Sequence, residues 1–168
     1  IDMNHFLPSV ATPRTNTLTQ LEDSCEKNGA HLHILGLEKP FRGLAEKFHQ
    51  TAEFIESLND DDVLLFVDAY DTLLLASPEK ILETFCRLNV PFLASGEKVC
   101  WPDAECASSY PAGKTSFQYV NSGTYIAKVK ALREFFRSIS PIDPKEDDQR
   151  LMTSYFLQHP EKLTLDEA

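Results

Sequence analysis

Two aspartates follow directly on a short, fully apolar run: Phe66-Val67-Asp68-Ala69-Tyr70-Asp71. Carboxylates are hard oxygen donors, and a pair of them at a strand end suits Mg²⁺ or Mn²⁺. Such a cation can link the pair to the phosphates of a nucleotide, which the two carboxylates would otherwise repel. The plainer account makes Asp68 a turn cap and Asp71 a solvated surface residue, since Asp is common in turns. Position favours the metal: the apolar run Val63–Val67 fixes the strand end on which both acids are carried.

Three further groups carry polar chemistry. Glu97-Lys98-Val99-Cys100-Trp101-Pro102-Asp103 contains the only Trp, whose ring can serve as a platform for a sugar or base, or can anchor a loop by being buried. Tyr70, between the two acids, poses the same choice. In Tyr119-Val120-Asn121-Ser122-Gly123-Thr124, Gly123 permits close approach to a ligand and Asn121 can donate to sugar or phosphate oxygens. Read plainly, Asn-Ser-Gly is a turn before a strand. In Glu146-Asp147-Asp148-Gln149-Arg150 the acids suit a helix start. Functionally, Asp147 or Asp148 could orient an acceptor hydroxyl or take its proton. His31 and His33 alternate along a strand, while His5, His49 and His159 are isolated, so no His pair supports zinc. A rival for the first motif is the Asp-x-Asp-x-Thr signature of dehalogenase-type phosphatases, with Thr72 following. Here the spacing is Asp-x-x-Asp; the extra residue adds about 3.3 Å and turns the side chain over, so the fit is poor.

Alternating strands and helices must position these groups. Residues 6–11 read as a first strand, although Pro8 would be easier at an edge or bulge. Residues 17–27 read as a helix stopped by Asn28-Gly29, and residues 31–35 as a strand ending at Gly36. Leu44, Ala45, Phe48, Ala52 and Ile55 mark one apolar helix face. Val63–Val67, apolar throughout, predicts a strand buried on both faces. Ser77-Pro78 predicts an N-cap and first helical residue, with Ile81, Leu82, Phe85 and Leu88 facing the core. A strand over 91–95 and a loop-rich stretch over 96–118 precede a turn and strand over 119–127. Val129, Leu132, Phe135, Phe136 and Ile139 mark another amphipathic helix, and residues 147–158 a final one. This order predicts an α/β sandwich in which ligands bind at the carboxyl ends of strands, here after Ala11, Gly36 and Val67.

Composition narrows the function classes. The 168 residues carry 16 Lys and Arg against 26 Asp and Glu, a net charge of -10 that argues against a nucleic-acid binder. With 42% hydrophobic residues the chain can build a real core, so one domain over 1–168 is expected. No apolar run reaches the roughly 18 residues that would span a membrane. The first residues, Ile1-Asp2-Met3-Asn4-His5, do not read as a signal peptide. Cys25, Cys86, Cys100 and Cys106 form no C-x-x-C pair; free thiols are the expectation, with a Cys100–Cys106 bond as the alternative.

Taken in order, Phe-Val-Asp-x-Tyr-Asp, Cys-Trp-Pro, Asn-Ser-Gly and Asp-Asp-Gln resemble the glycosyltransferase domain of multifunctional procollagen lysyl hydroxylases, from about Val10 to Leu165. The resemblance implies a GT-A fold: a Rossmann-like nucleotide-diphospho-sugar transferase with a mixed, mostly parallel sheet flanked by helices. It implies a UDP-sugar donor, Mn²⁺ (or Mg²⁺), and transfer of a hexose, glucose first, to a hydroxyl acceptor such as galactosyl-hydroxylysine. By resemblance, Asp68 and Asp71 match the metal pair and Tyr70 an aromatic residue near the uracil. Val10 and Thr12 fall where the nucleotide is held, Lys47 near the donor phosphates, and Asn121, Ser122 and Gly123 at the donor-side turn. Trp101 matches a loop Trp near the sugar, and Asp147, Asp148 and Gln149 an acidic segment near the acceptor, so Asp147, Asp148 and Trp101 are the catalytic candidates. Three departures stand out. The family's metal site also draws a His from a segment that would follow residue 168, the second Gly of its turn is Thr124 here, and its acidic run is shortened. A domain lacking its C-terminal segment is therefore expected, and a catalytically impaired sugar-nucleotide-binding or interaction domain is the alternative. The compartment would be the endoplasmic reticulum for an animal chain and the cytoplasm for a microbial one.

Overall fold

The computed structural model describes residues 4–10 and 19–167. The strands are His5–Val10 (β1), Leu32–Leu35 (β2), Val63–Val67 (β3), Phe92–Glu97 (β4), Tyr119–Lys128 (β5) and Thr164–Asp166 (β6). The helices are Thr19–Lys27 (α1), Glu46–Ile55 (α2), Pro78–Leu88 (α3), Val129–Ser138 (α4) and Asp148–Gln158 (α5), with a 3-10 turn at Ala104–Ser109. One six-stranded sheet runs in the order β2-β1-β3-β5-β4-β6. Only β5 runs against its neighbours, pairing antiparallel with β3 and β4, while the remaining pairs are parallel. The expected mixed, mostly parallel sheet is therefore present.

β3 lies inside the sheet and its side chains alternate between the two layers. Leu64 and Phe66 enter the larger core, under α2, α4 and α5, where Phe66 stacks on Tyr125 at 4.9 Å. Val63, Leu65 and Val67 face the opposite layer, against α1 and α3. Burial on both faces is why the run needs no polar residue until Asp68.

β1 is also interior, between β2 and β3, so Pro8 does not mark an edge. Its effect is local. The paired register with β3 covers His5 and Phe6, and beyond Pro8 the Ser9 hydroxyl donates to the Val67 carbonyl at 2.7 Å. That buried bond replaces a ladder contact that proline cannot make and keeps the ends of β1 and β3 level. The described part of the strand reaches Val10; Ala11 and Thr12 lie outside the described residues.

Helix ends follow local chemistry. Ser77 accepts from the Lys80 amide at the start of α3, with Pro78 as the first helical residue, as expected. Asp147 caps α5 by accepting from the Arg150 amide at 2.9 Å. The start of α2 is held differently, by close backbone contact. The Ala45 amide donates to the Glu146 carbonyl at 3.0 Å, and a Cβ on Gly43 would lie 2.2 Å from the Pro144 carbonyl oxygen. α2 and the segment leading into α5 are thereby locked together. Gly43→Ala must push them apart; a loss of about 1–3 kcal/mol is expected, read as a lower urea midpoint.

One expectation is corrected. The Asn121-Ser122-Gly123 segment is not a turn that precedes a strand, because it lies within the continuous strand β5. Opposite it the register with β4 shifts between Ala94 and Ser95, so the extra residues form a bulge. The stretch after α5 also adds a strand, β6, which pairs with β4.

Candidate functional site

The bulge in β5 and the end of β3 build one site. The Asp68 amide donates to the Gly123 carbonyl at 2.8 Å, bringing the carboxylate against the bulge. Asn121 folds back so that its Oδ1 accepts the Gly123 amide at 2.9 Å. Ser95 on β4 reinforces the bulge, its hydroxyl lying 3.0 Å from the Thr124 carbonyl and 3.2 Å from the Asn121 Oδ1. A side chain at 123 has no room: a Cβ would lie 2.8 Å from Asp68 Oδ2 and 3.0 Å from Asn121 Oδ1. Gly123→Ala is thus expected to displace Asp68 and weaken any ligand held by that carboxylate about tenfold, at a stability cost of about 1 kcal/mol. Calorimetric titration beside thermal unfolding separates the two effects.

Lys47, from the first turn of α2, reaches into the same place. Its Nζ lies 3.1 Å from Asp68 Oδ1 and 2.6 Å from Asp148 Oδ2. Asp148 also accepts the hydroxyl of Ser122. The Lys47 side chain is only 13% exposed and that of Asp148 only 8%, whereas Asp68 is 37% exposed and opens toward solvent. Burial opposes the charge on Lys47, but Asp68 and Asp148 outweigh it and its pKa is raised. Burial also pushes the Asp68 carboxyl up; Lys47 pulls it back, and the charges of Asp148 and Asp71 add to the rise. Asp68 and Asp148 thus share one ammonium, and the charge of Asp71 adds to that of Asp68, leaving the cluster short of positive charge.

The other candidates occupy distinct places. Asp71 and Tyr70 are exposed in the loop after β3, and Asp71 bears on Asp68 through its charge. Val10 is half-buried at the end of β1, while Thr12 falls outside the described residues. Asp147 serves as the helix cap, away from the Lys47 contacts, whereas its neighbour Asp148 belongs to the buried cluster. Trp101 is 61% exposed, so it does not anchor its loop by burial. The anchor is polar instead: Gln149 donates to the Trp101 carbonyl at 3.2 Å and to the Glu97 carboxylate. Burial raises the Glu97 pKa, with the bond from Gln149 opposing the rise. Neither Ser95 nor the Arg150–Asp103 ion pair is apparent from the sequence. Arg150 simply follows an acidic run, and no spacing rule links it to an Asp in a distant loop.

Donor chemistry tests whether a divalent cation suits these groups. Asp68 and Asp71 supply hard carboxylate oxygens, the type Mg²⁺ and Mn²⁺ prefer, in a cluster short of positive charge. Among the described residues no group of three or more His, Cys, Asp or Glu side chains is arranged to hold a metal. The remaining ligands would be phosphate oxygens and water, which these cations accept readily. On those terms the pair fits.

The architecture is of the GT-A type, the fold class of nucleotide-sugar transferases, with the polar site at the carboxyl end of β3. The chain resembles A197 from STIV with a TM-score of 0.58 at 15% identity, over 98% of this chain and 82% of that one. That likeness concerns the fold alone. The chain belongs to the PLOD GT domain family, a glycosyltransferase family, which matches residues 2–167. It is 30% identical to procollagen-lysine,2-oxoglutarate 5-dioxygenase of Drosophila melanogaster over 94% of its length. It is 29% identical to the human multifunctional procollagen lysine hydroxylase and glycosyltransferase LH3 over 89%, and 26% identical to the uncharacterized protein R699 of Acanthamoeba polyphaga mimivirus over 94%. The chain spans 23%, 21% and 36% of those three relatives, respectively. Among the described residues, no helix is long and apolar enough to cross a membrane.

Proposed function

We propose that this domain is a divalent-cation-dependent hexosyltransferase that moves a hexose, glucose first, from a UDP-sugar to a hydroxyl acceptor. The observation that carries this reading is the cluster of Asp68, Lys47 and Asp148 at the end of β3 in a chain of a glycosyltransferase family. A diphosphate approaching Asp68 meets net negative charge, which one lysine does not balance. Mn²⁺ or Mg²⁺, when bound, would supply neutralisation of the departing diphosphate. Asp68 and Asp71 would hold that cation, while Lys47 adds a fixed positive charge beside the phosphates. Asn121 and the backbone at Gly123 would face the donor, and Tyr70 would lie against the uracil. Trp101 would line the sugar subsite. Of the two late acids, Asp148 is the better candidate for orienting an acceptor hydroxyl, because it shares the Lys47 cluster with Asp68, whereas Asp147 caps α5 away from those contacts. The family resemblance favours galactosyl-hydroxylysine as acceptor.

The test is UDP release from UDP-glucose in the presence of Mn²⁺, with and without a galactosyl-hydroxylysine peptide. Acceptor-stimulated release that stops on chelation supports the proposal; donor binding with no release under any acceptor points instead to a sugar-nucleotide-binding domain. The second reading rests on Lys47, whose fixed charge beside Asp68 can contact a phosphate whether or not transfer follows.

A further inference from the structure

The first turn of α5 makes a second set of contacts that donor chemistry does not use. Gln149 is buried, 8% exposed, and engages both ends of its amide. Its Oε1 accepts the Ser122 backbone amide at 3.2 Å and lies 3.4 Å from the Ser122 hydroxyl. Its Nε2 donates to the Glu97 carboxylate and to the Trp101 carbonyl at 3.2 Å. These partners fix the orientation of the amide, because a flip would set its oxygen against two acceptors. Arg150, the next residue, grips Asp103 at two points: Nε to Oδ2 at 2.6 Å and Nη2 to Oδ1 at 3.0 Å. The loop is therefore tied before, at and after Trp101, by two consecutive residues of one helix. The buried Cys100 thiol, 3.5 Å from the Asp103 carbonyl, braces it from within.

Such bracing needs a reason, since the ring it holds is largely in water. Ordering a loop costs conformational entropy, which an aromatic side chain ordinarily offsets by being buried. Here the polar contacts replace that burial and leave the ring largely exposed. We infer that Gln149 and Arg150 are positioning residues that clamp the Trp101 loop onto the β5 bulge and present the indole as a fixed wall of the site. That the wall faces a sugar rests on the function proposed above; that the clamp holds the loop does not. Neither residue touches the reacting atoms. Gln149 links the wall to the donor-side bulge through Ser122, so the two halves of the site keep one spacing.

Amide hydrogen exchange on the unliganded protein tests the clamp. Arg150→Leu removes an exposed two-point ion pair, and such pairs shift an equilibrium by a factor of about five at most. Gln149→Glu keeps the shape, removes both donors and sets a second carboxylate against Glu97, so a larger shift of about tenfold is expected. Exchange at residues 98–103 should therefore speed up by about two- to fivefold in the first variant and about tenfold in the second. Amides of β3 and α4 should keep their wild-type rates. The reversed pair, Asp103→Arg with Arg150→Asp, should restore slow exchange. Unchanged loop exchange in both variants overturns the inference, as does a uniform rise across the whole chain, which would mark a merely structural role. A parallel titration of wild type with UDP-glucose and Mn²⁺ keeps the two ideas apart. Absence of donor binding would defeat the proposed function, while the exchange rates alone would still decide whether the clamp exists.

Discussion

Replacing Asp68 and Asp71 together by Asn is expected to abolish cation-dependent UDP binding and to lower hexosyl transfer about a thousandfold or more. The size follows from charge. Metal-assisted stabilisation of a departing diphosphate is worth several kcal/mol, and each ~1.4 kcal/mol is a tenfold change in rate. Asn keeps the shape and removes the negative charge, so the fold should tolerate the change. Asp68 is more than a third exposed and Asp71 is exposed, so neither carries the core. Removing Asp68 also frees Lys47 from one of its two partners while Asp148 keeps the other. Transfer assays and UDP titrations with and without Mn²⁺ check the effect, and thermal unfolding controls for stability. Undiminished Mn²⁺-dependent UDP affinity in the double variant would contradict the assignment of these residues.

Lys47→Met should produce the largest stability loss among the site variants. Taking one partner from a buried ion pair costs about 3–5 kcal/mol, because the remaining charge stays desolvated. Asp148, 8% exposed, bears most of that penalty. Asp68 is open enough for water to screen it, so the lower end, about 3 kcal/mol, is expected. The variant also strips the cluster of its only near cation among the contacts described. Mn²⁺ should therefore stabilise Lys47→Met more than it stabilises the wild-type protein. Urea unfolding measured with Mn²⁺ and with chelator reads both effects; a midpoint within error of wild type would show that the triad carries no such load.

Local chemistry makes some elements readable, and long-range pairing hides others. Val63–Val67 is legible to the residue because five apolar residues in a row, three of them β-formers, call for burial on two faces. Ser77 and Pro78 mark the start of α3 because capping is decided within one turn. Asn121-Ser122-Gly123 misleads, since a bulge and a turn favour the same residues and only the partner strand distinguishes them. Thr164–Asp166 escapes notice because it is short, contains one apolar residue, and becomes a strand only by joining β4. Pro8 argues for an edge, yet Ser9 supplies the missing contact by a hydroxyl, which a backbone rule does not anticipate.

The site divides along the same line. Asp68 stands out because it terminates a buried strand, and Lys47 emerges only through family resemblance. The distances that join Lys47 to Asp68 and Asp148 depend on how α2 and α5 meet at Gly43 and Pro144, which no short motif encodes. Trp101 is legible as a residue but not as a ring held in place from below. Its support comes from Gln149 and Arg150, which are distant from it in sequence.

The most direct measurement is calorimetric titration of the domain with UDP-glucose and with UDP, each with Mn²⁺ and with chelator. Both ligands are expected to bind with Mn²⁺, and affinity should fall at least about tenfold when the cation is removed. Equal affinity in the two conditions, or no binding in either, would contradict the claim that the carboxylates after β3 form a cation-dependent donor site.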